Sequence, residues 1–217
     1  MKNRMLSLIL IFTLVISGCG CVIWGIRGNG KLKTEVRDIK DFKNLEISGA
    51  YKVNVKHGDE SSIKISAEEN LLPYIKTQIR DNKLKIYNEK NLSPRRGILI
   101  EIYTKELKEL NSSGASMIKV SDIKTDKFDV ELSGAGNIEL NGNCEILIAR
   151  ISGAGNLEAK DLKAYDVYVS VSGAGNAEVY AKNYLNASVS GIGSIKYYGN
   201  PKETKTNVSG VGSITRK

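Results

Sequence analysis

The sequence predicts an all-β fold, a parallel β-helix or solenoid wound in coils of 18–20 residues, and three observations predict it. A short Gly-centred motif returns six times between residue 113 and the C-terminus. Aligned on that motif, apolar residues fall into columns two positions apart, the spacing that puts side chains on one face of a strand. The stretch before the repeats alternates apolar and polar residues with a period of two, as half-buried strands do. At 217 residues and 41% hydrophobic content the chain suits one domain and is not wholly disordered.

The chain opens with MKNRMLSLILIFTLVISGCGC. Lys2 and Arg4 make a positive n-region and Met5 to Ile16 an apolar h-region of signal-peptide length. It ends in Ile16-Ser17-Gly18-Cys19, which resembles a bacterial lipobox. The resemblance implies that residues 1–18 are a lipoprotein signal peptide and that Cys19 is acylated, with palmitate-type chains holding the protein to a membrane. A transmembrane helix over Met5–Ile26 is the other reading, weakened by three Gly in its last nine residues. Either reading places the bulk of the chain outside the cytoplasmic membrane, in the cell envelope or on its surface.

Residues 19–35 read as a lipidated N-terminus and flexible tether, loosened by Gly25, Gly28 and Gly30, with Trp24 suited to the headgroup level. Cys21 is free or paired with Cys144; unpaired, Cys144 reads as a small buried apolar residue. Residues 36–217 form the folded domain. Its first part contains Phe42, Leu45 and Ile47, a Gly turn at Ser48-Gly49, then alternation at Val53/Val55, Ile63/Ile65, Leu84/Ile86 and Ile98/Ile100/Ile102. Asn70 to Ile75 breaks the period, as a turn or a single helical turn would.

Residues 113–217 carry the repeat. The corners are Ser113-Gly-Ala-Ser116, Ser133-Gly134-Ala-Gly136-Asn137, Ser152-Gly153-Ala-Gly155-Asn156, Ser172-Gly173-Ala-Gly175-Asn176, Ser190-Gly-Ile-Gly-Ser194 and Ser209-Gly-Val-Gly-Ser213. Their serines are separated by 20, 19, 20, 18 and 19 residues. One residue before the Ser stand Leu132, Ile151, Val171, Val189 and Val208; five after it stand Ile118, Ile138, Leu157, Ala177, Ile195 and Ile214. Each unit is therefore strand, corner, strand and polar connection, and stacking units ~4.8 Å apart superimposes like columns. Gly at the corner supplies positive φ for a sharp turn, and Asn137, Asn156 and Asn176 stack as an amide ladder. Hexapeptide helices, calcium-binding nonapeptides and mononucleotide loops all fail on spacing.

Phe42-Lys-Asn-Leu-Glu-Ile-Ser-Gly-Ala, Val53-Asn-Val, Asn70-Leu-Leu, Leu84-Lys-Ile and the repeated Ser-Gly-Ala-Gly-Asn resemble the bacterial family called putative autotransporter adhesin, head GIN domain. The resemblance covers residues 36–217. It implies a right-handed β-helix, export or lipid anchoring, and an adhesive role, and it supplies no catalytic residue. The late Ser-Gly-Ile-Gly-Ser and Ser-Gly-Val-Gly-Ser corners depart from the Asn form, so the ladder is expected to end before the last coil.

For function, one His and three Cys leave little for a zinc site or a His-based triad. Neither a metal nor a cofactor is expected. Glu139, Glu158 and Glu178 share a column flanked by Lys119 and Lys196, an outward strand position and not an acid–base pair. His57 reads as an exposed turn residue. No enzyme activity is expected. The excess of 32 basic over 24 acidic residues falls mainly before residue 113 and suits anionic lipid, an anionic wall polymer or a plain solvated surface. No aromatic–basic interleaving suggests nucleic acid. Tyr165, Tyr168, Tyr180 and Tyr184, with Tyr197 and Tyr198, are candidate stacking residues for a cell-wall or host polysaccharide. The alternative role is a self-assembling or envelope-stress scaffold, in which the last coil pairs with a second copy or is guarded by Arg216 and Lys217.

Overall fold

The computed structural model describes residues 25–217. Its N-terminal part holds β1 (Ile26–Arg27), β2 (Leu32–Asp38), β3 (Asn44–Ser48), β4 (Lys52–His57), β5 (Ser62–Glu68), β6 (Ile75–Arg80), β7 (Lys83–Asn88), β8 (Leu92–Ser93), β9 (Leu99–Thr104) and β10 (Glu109–Ser112). Then come four long strands, β11 (Met117–Leu132), β12 (Asn137–Ile151), β13 (Asn156–Val171) and β14 (Asn176–Val189). The last three are β15 (Ser194–Tyr198), β16 (Glu203–Val208) and β17 (Ser213–Arg216).

The stack is parallel from β11 onward: β11 on β12, β12 on β13, β13 on β14, then β15 and β16 side by side on β14 and β17 on β15. The chain is thus an all-β solenoid of about five turns. Apolar columns meet as the alternation requires, for example Leu132, Ile151, Val171 and Val189, all buried. The stacking continues without a break into the N-terminal part, because the first half of β11 pairs with β4 and the second half with β10, which pairs with β3.

The corner residues stack one above another. The Ala135 N–H donates to the Gly114 carbonyl, Ala154 to Gly134 and Ala174 to Gly153, each at 3.1 Å. Ala115 does the same to Gly49, so Ser48-Gly49-Ala50 is a further corner of the same kind, separated from Ser113 by a long excursion. Among the first glycines of the corners only Gly210 has positive φ. The residue type is required for another reason. A Cβ on Gly134 would sit 1.9 Å from the Gly114 oxygen, and one on Gly153 would sit 2.0 Å from the Gly134 oxygen. Close approach of backbones, not a left-handed turn, demands glycine here.

That excursion builds a cap. After β4 the chain runs antiparallel as β5, which pairs with β2 and β9, turns through a 3₁₀ segment at Leu72–Tyr74, and returns as β6 antiparallel to β7. β7 and β9 then lie parallel beneath β3 and β4. The Arg37 guanidinium, largely buried on β2, donates to the carbonyls of Ile75 and Leu72 and pairs with Glu35 at 2.7 Å. An inward-pointing charge of this kind closes a sheet edge against further strands.

Two expectations need correction. Residues 26–35 are not a loose tether: Ile26 and Arg27 pair with Leu92 and Ser93, and Leu32–Asp38 pairs along Ser62–Glu68. Gly28 serves contact, since a Cβ there would lie 1.9 Å from a Glu68 carboxyl oxygen. Among the described residues the buried core runs as one cluster from Phe42 to Ile195, so residues 25–217 carry a hydrophobic core of their own.

Candidate ligand-binding groove

Opposite the glycine corner, each coil bends between its two strands, and coils of unequal length are reconciled there. Register shifts fall between Val120 and Ile123, Glu139 and Asn141, Ala159 and Lys163, and Ala164 and Asp166. Beyond the first three and before the last, Lys124, Asn143, Lys163 and Tyr180 pair rung to rung, and so do Thr125, Cys144, Ala164 and Ala181. Strand alternation turns the second, small-residue row inward, and Cys144, Ala164 and Ala181 are buried. The residues on either side therefore stand up as walls: the first row on one side, and Asp126, Glu145, Tyr165 and Lys182 on the other.

Together with Glu106 they enclose an open groove of about 770 Å³ that runs along the stack. Three lysines and three carboxylates balance within it. The Lys163 ammonium sits 4.0 Å from the centre of the Tyr180 ring, and Lys182 lies 5.8 Å from that of Tyr165. Glu106 is held below the usual carboxylate range by its Lys43 hydrogen bond, helped by Lys108, against some burial. Burial pushes the Cys144 thiol up to about 12, with the Glu145 charge adding to it, so it remains an unreactive thiol in the floor. Cys144 is unpaired among the described residues; Cys21 and the lipidation candidate Cys19 lie outside them.

The four named tyrosines separate into two pairs. Tyr165 and Tyr180 line the groove. Tyr168 and Tyr184 lie on another face, their ring centres 5.6 Å apart and tilted by 50°. Tyr197 packs against the core, and the Tyr198 hydroxyl donates to Glu178 at 3.3 Å.

Two of the three column carboxylates are engaged by cations, while Glu158 stands exposed without an ion pair among the described residues. Lys119 pairs with Glu139, and Glu178 accepts from Lys196 at 3.2 Å with Lys160 at 3.7 Å. Burial pushes the Glu178 carboxyl up, but Lys196, Lys160 and Tyr198 outweigh it and hold the group below its usual range. His57 is exposed at the end of β4, and no cluster with metal-ligating composition occurs among the described residues.

In the corner columns, the Asn156 amide donates to Asn137 and the Asn176 amide to Asn156, each at 3.0 Å, and the Ser194 hydroxyl adds a third rung at 2.7 Å. The amide run thus passes to a hydroxyl at Ser194. Ser133, Ser152 and Ser172 hold the rungs through their backbone N–H groups, donating to Ser112, Leu132 and Ile151. Gly136, Gly155 and Gly175 are as crowded as the first glycines, a Cβ lying 2.3–2.5 Å from the carbonyl below.

Alignment on the preceding serine hides the groove, because the register shifts lie between that serine and the bend. Counted back from the following serine, Lys124, Asn143 and Lys163 each stand nine residues before, and Thr125, Cys144 and Ala164 eight before. That backward count locates the walls and floor in these three coils; in the next, Tyr180 and Ala181 stand ten and nine before Ser190, because the shift between Ala164 and Asp166 lies on that side of the bend.

The family model described as "Putative auto-transporter adhesin, head GIN domain" matches residues 41–201. Among solved structures, a putative adhesin from Bacteroides fragilis is 25% identical with a TM-score of 0.76, covering 89% of this chain and 100% of that one. A putative lipid binding protein from Parabacteroides distasonis is 24% identical, TM-score 0.55, with 89% and 100% covered. A putative adhesin from Parabacteroides merdae is 22% identical, TM-score 0.55, with 89% and 99% covered. No curated protein matches significantly.

Proposed function

The chain belongs to the family described as "Putative auto-transporter adhesin, head GIN domain", and from that premise we propose that it is a lipid-anchored, extracytoplasmic adhesion module that binds polysaccharide along the bend-side groove without turning it over. The observation that carries this reading is the pairing of Tyr165 and Tyr180 on opposite walls of an elongated, open groove with a small-residue floor. Pyranose rings stack on exposed aromatic faces, and the flanking Lys124, Lys163, Asn143 and Glu145 supply hydroxyl partners. A groove parallel to the stack offers one wall position per rung at a constant spacing, which a polymeric ligand can follow. Cys19 is the anchor in this reading; a Cys19→Ala chain that still partitions wholly with membranes after signal cleavage overturns that part.

The binding test is a printed array of bacterial wall and host glycans probed with residues 25–217. Tyr165→Ala and Tyr180→Ala should each weaken binding about tenfold or more, while Tyr168→Ala and Tyr184→Ala should not. Equal losses from all four place binding elsewhere. A second reading, self-association, is favoured by one observation: every residue of β16 is exposed, and Val208, Val211 and Ile192 are 45%, 82% and 72% exposed at that end of the stack. Concentration-dependent light scattering from the same span supports it, and a monomer at all concentrations does not.

A further inference from the structure

The capped end of the solenoid carries a second surface, distinct from the groove. The chain enters the described fold at Gly25, and β1 is fastened to β8. The Gly28 N–H donates to the Ser93 carbonyl at 3.1 Å. Beside it the wholly buried Glu68 side chain accepts from the Gly30 N–H at 2.6 Å and the Arg95 N–H at 2.8 Å. One carboxylate thus joins the entering segment and the loop after β8 into a single surface.

That surface is cationic. Arg27, Arg95 and Arg96 are exposed, and among the described residues they make no salt bridge. Lys31 joins them, with Glu69 at 3.9 Å as its partner. The surface is also apolar at one margin. Leu32 and Val36, 60% and 65% exposed, share one face of β2, and Leu32 stands opposite Glu68 in the strand register.

We propose that this end of the molecule docks flat on a bilayer containing anionic lipid, the arginines against headgroup phosphates and Leu32 and Val36 at the interface. Unpaired cations beside exposed aliphatic side chains are the composition of a peripheral membrane surface, where electrostatic attraction and shallow apolar burial add. A soluble polyanion would use the charges but leave the aliphatic pair without a partner. Geometry agrees: only five residues lie between Cys19 and Gly25, a span of at most about 22 Å when extended, so a lipid on Cys19 keeps the surface next to the headgroups. This last point rests on the anchor reading above. The test therefore omits the anchor, so that failure of the surface and failure of the anchor are distinguishable.

Residues 25–217 are sedimented with phosphatidylcholine vesicles, with and without phosphatidylglycerol. Binding is expected only with phosphatidylglycerol, falling as salt rises. The triple variant Arg27→Gln/Arg95→Gln/Arg96→Gln should bind about a hundredfold more weakly, roughly fivefold per charge removed. Lys202→Gln/Lys205→Gln/Arg216→Gln, which removes the same charge from the far end, should bind as the parent does. Leu32→Ser/Val36→Ser should weaken binding at every salt concentration. Circular dichroism confirms that each variant is folded. Equal loss from the two triple variants, binding indifferent to phosphatidylglycerol, or capture of poly(glycerol phosphate) without vesicle binding would each overturn the proposal.

Discussion

At the glycine corner, successive coils approach until a single added carbon would overlap the carbonyl below, and the hydrogen bonds between rungs repeat without change from Gly49 to Val211. At the opposite bend the coils differ in length, the register slips, and Asp122 takes positive φ in one coil where Gly142 does in the next. The corner fixes the spacing of the stack, and the bend absorbs what variation the sequence contains. The side where side chains are free to differ is the side that carries the groove proposed to bind ligand.

The sharpest way to break this comparison is insertion. One Gly placed between Ala154 and Gly155 should cost at least ~3 kcal/mol in a denaturant titration, because every corner contact above and below must shift. The same Gly between the exposed Lys160 and Asp161, where the register of β13 against β14 already slips, should cost under about 1 kcal/mol. Equal costs would mean that the two turns are not different in kind. Gly153→Val should match the corner insertion in size, since its Cβ meets backbone and not a flexible side chain.

A smaller effect separates an asparagine of the corner column from one on the groove wall. Asn156→Ala removes an amide that both donates to Asn137 and accepts from Asn176, and should lower stability by ~0.5–1.5 kcal/mol. Asn143→Ala, on the groove wall, should change it by less than ~0.5 kcal/mol. Thermal unfolding of the two variants side by side decides this.

The smallest effect is one of pH. The folded Glu178 carboxyl lies below its ordinary value near 4.5, so its contribution is present above that value and is lost as the pH falls through the folded one. It should amount to less than ~1 kcal/mol for this partly exposed group. Glu178→Gln should flatten the acid limb of a stability profile recorded from pH 6 down to pH 3.

Much of the stack is legible in the sequence because period-two alternation and the Ser-Gly-Ala corner are both local. The columns from Leu132 to Val208 need no more than alignment. The cap is not legible in the same way: Ile63/Ile65 in an antiparallel strand and Ile100/Ile102 in a strand with a parallel partner alternate identically, so the pattern does not report direction. Ser48-Gly49-Ala50 carries the corner signature, but 65 residues separate it from Ser113, which hides its place in the stack. Gly28 misleads as a loosening residue because nothing in its neighbours along the chain reveals that Glu68 lies against it. The groove fails to appear from the preceding serine for the reason already given, an irregular bend lying between.

Fixing one turn of every coil while the other varies makes the molecule extensible in whole steps. Duplicating a unit such as 152–171 adds one rung of ~4.8 Å without disturbing its neighbours, since each rung meets the next through the same corner. The walls of the groove are carried on those same units. Under the proposed polymer-binding role, reach from the capped end and length of ligand gripped change together, and selection for a longer hold on a polymer also lifts the far end further from wherever the cap rests.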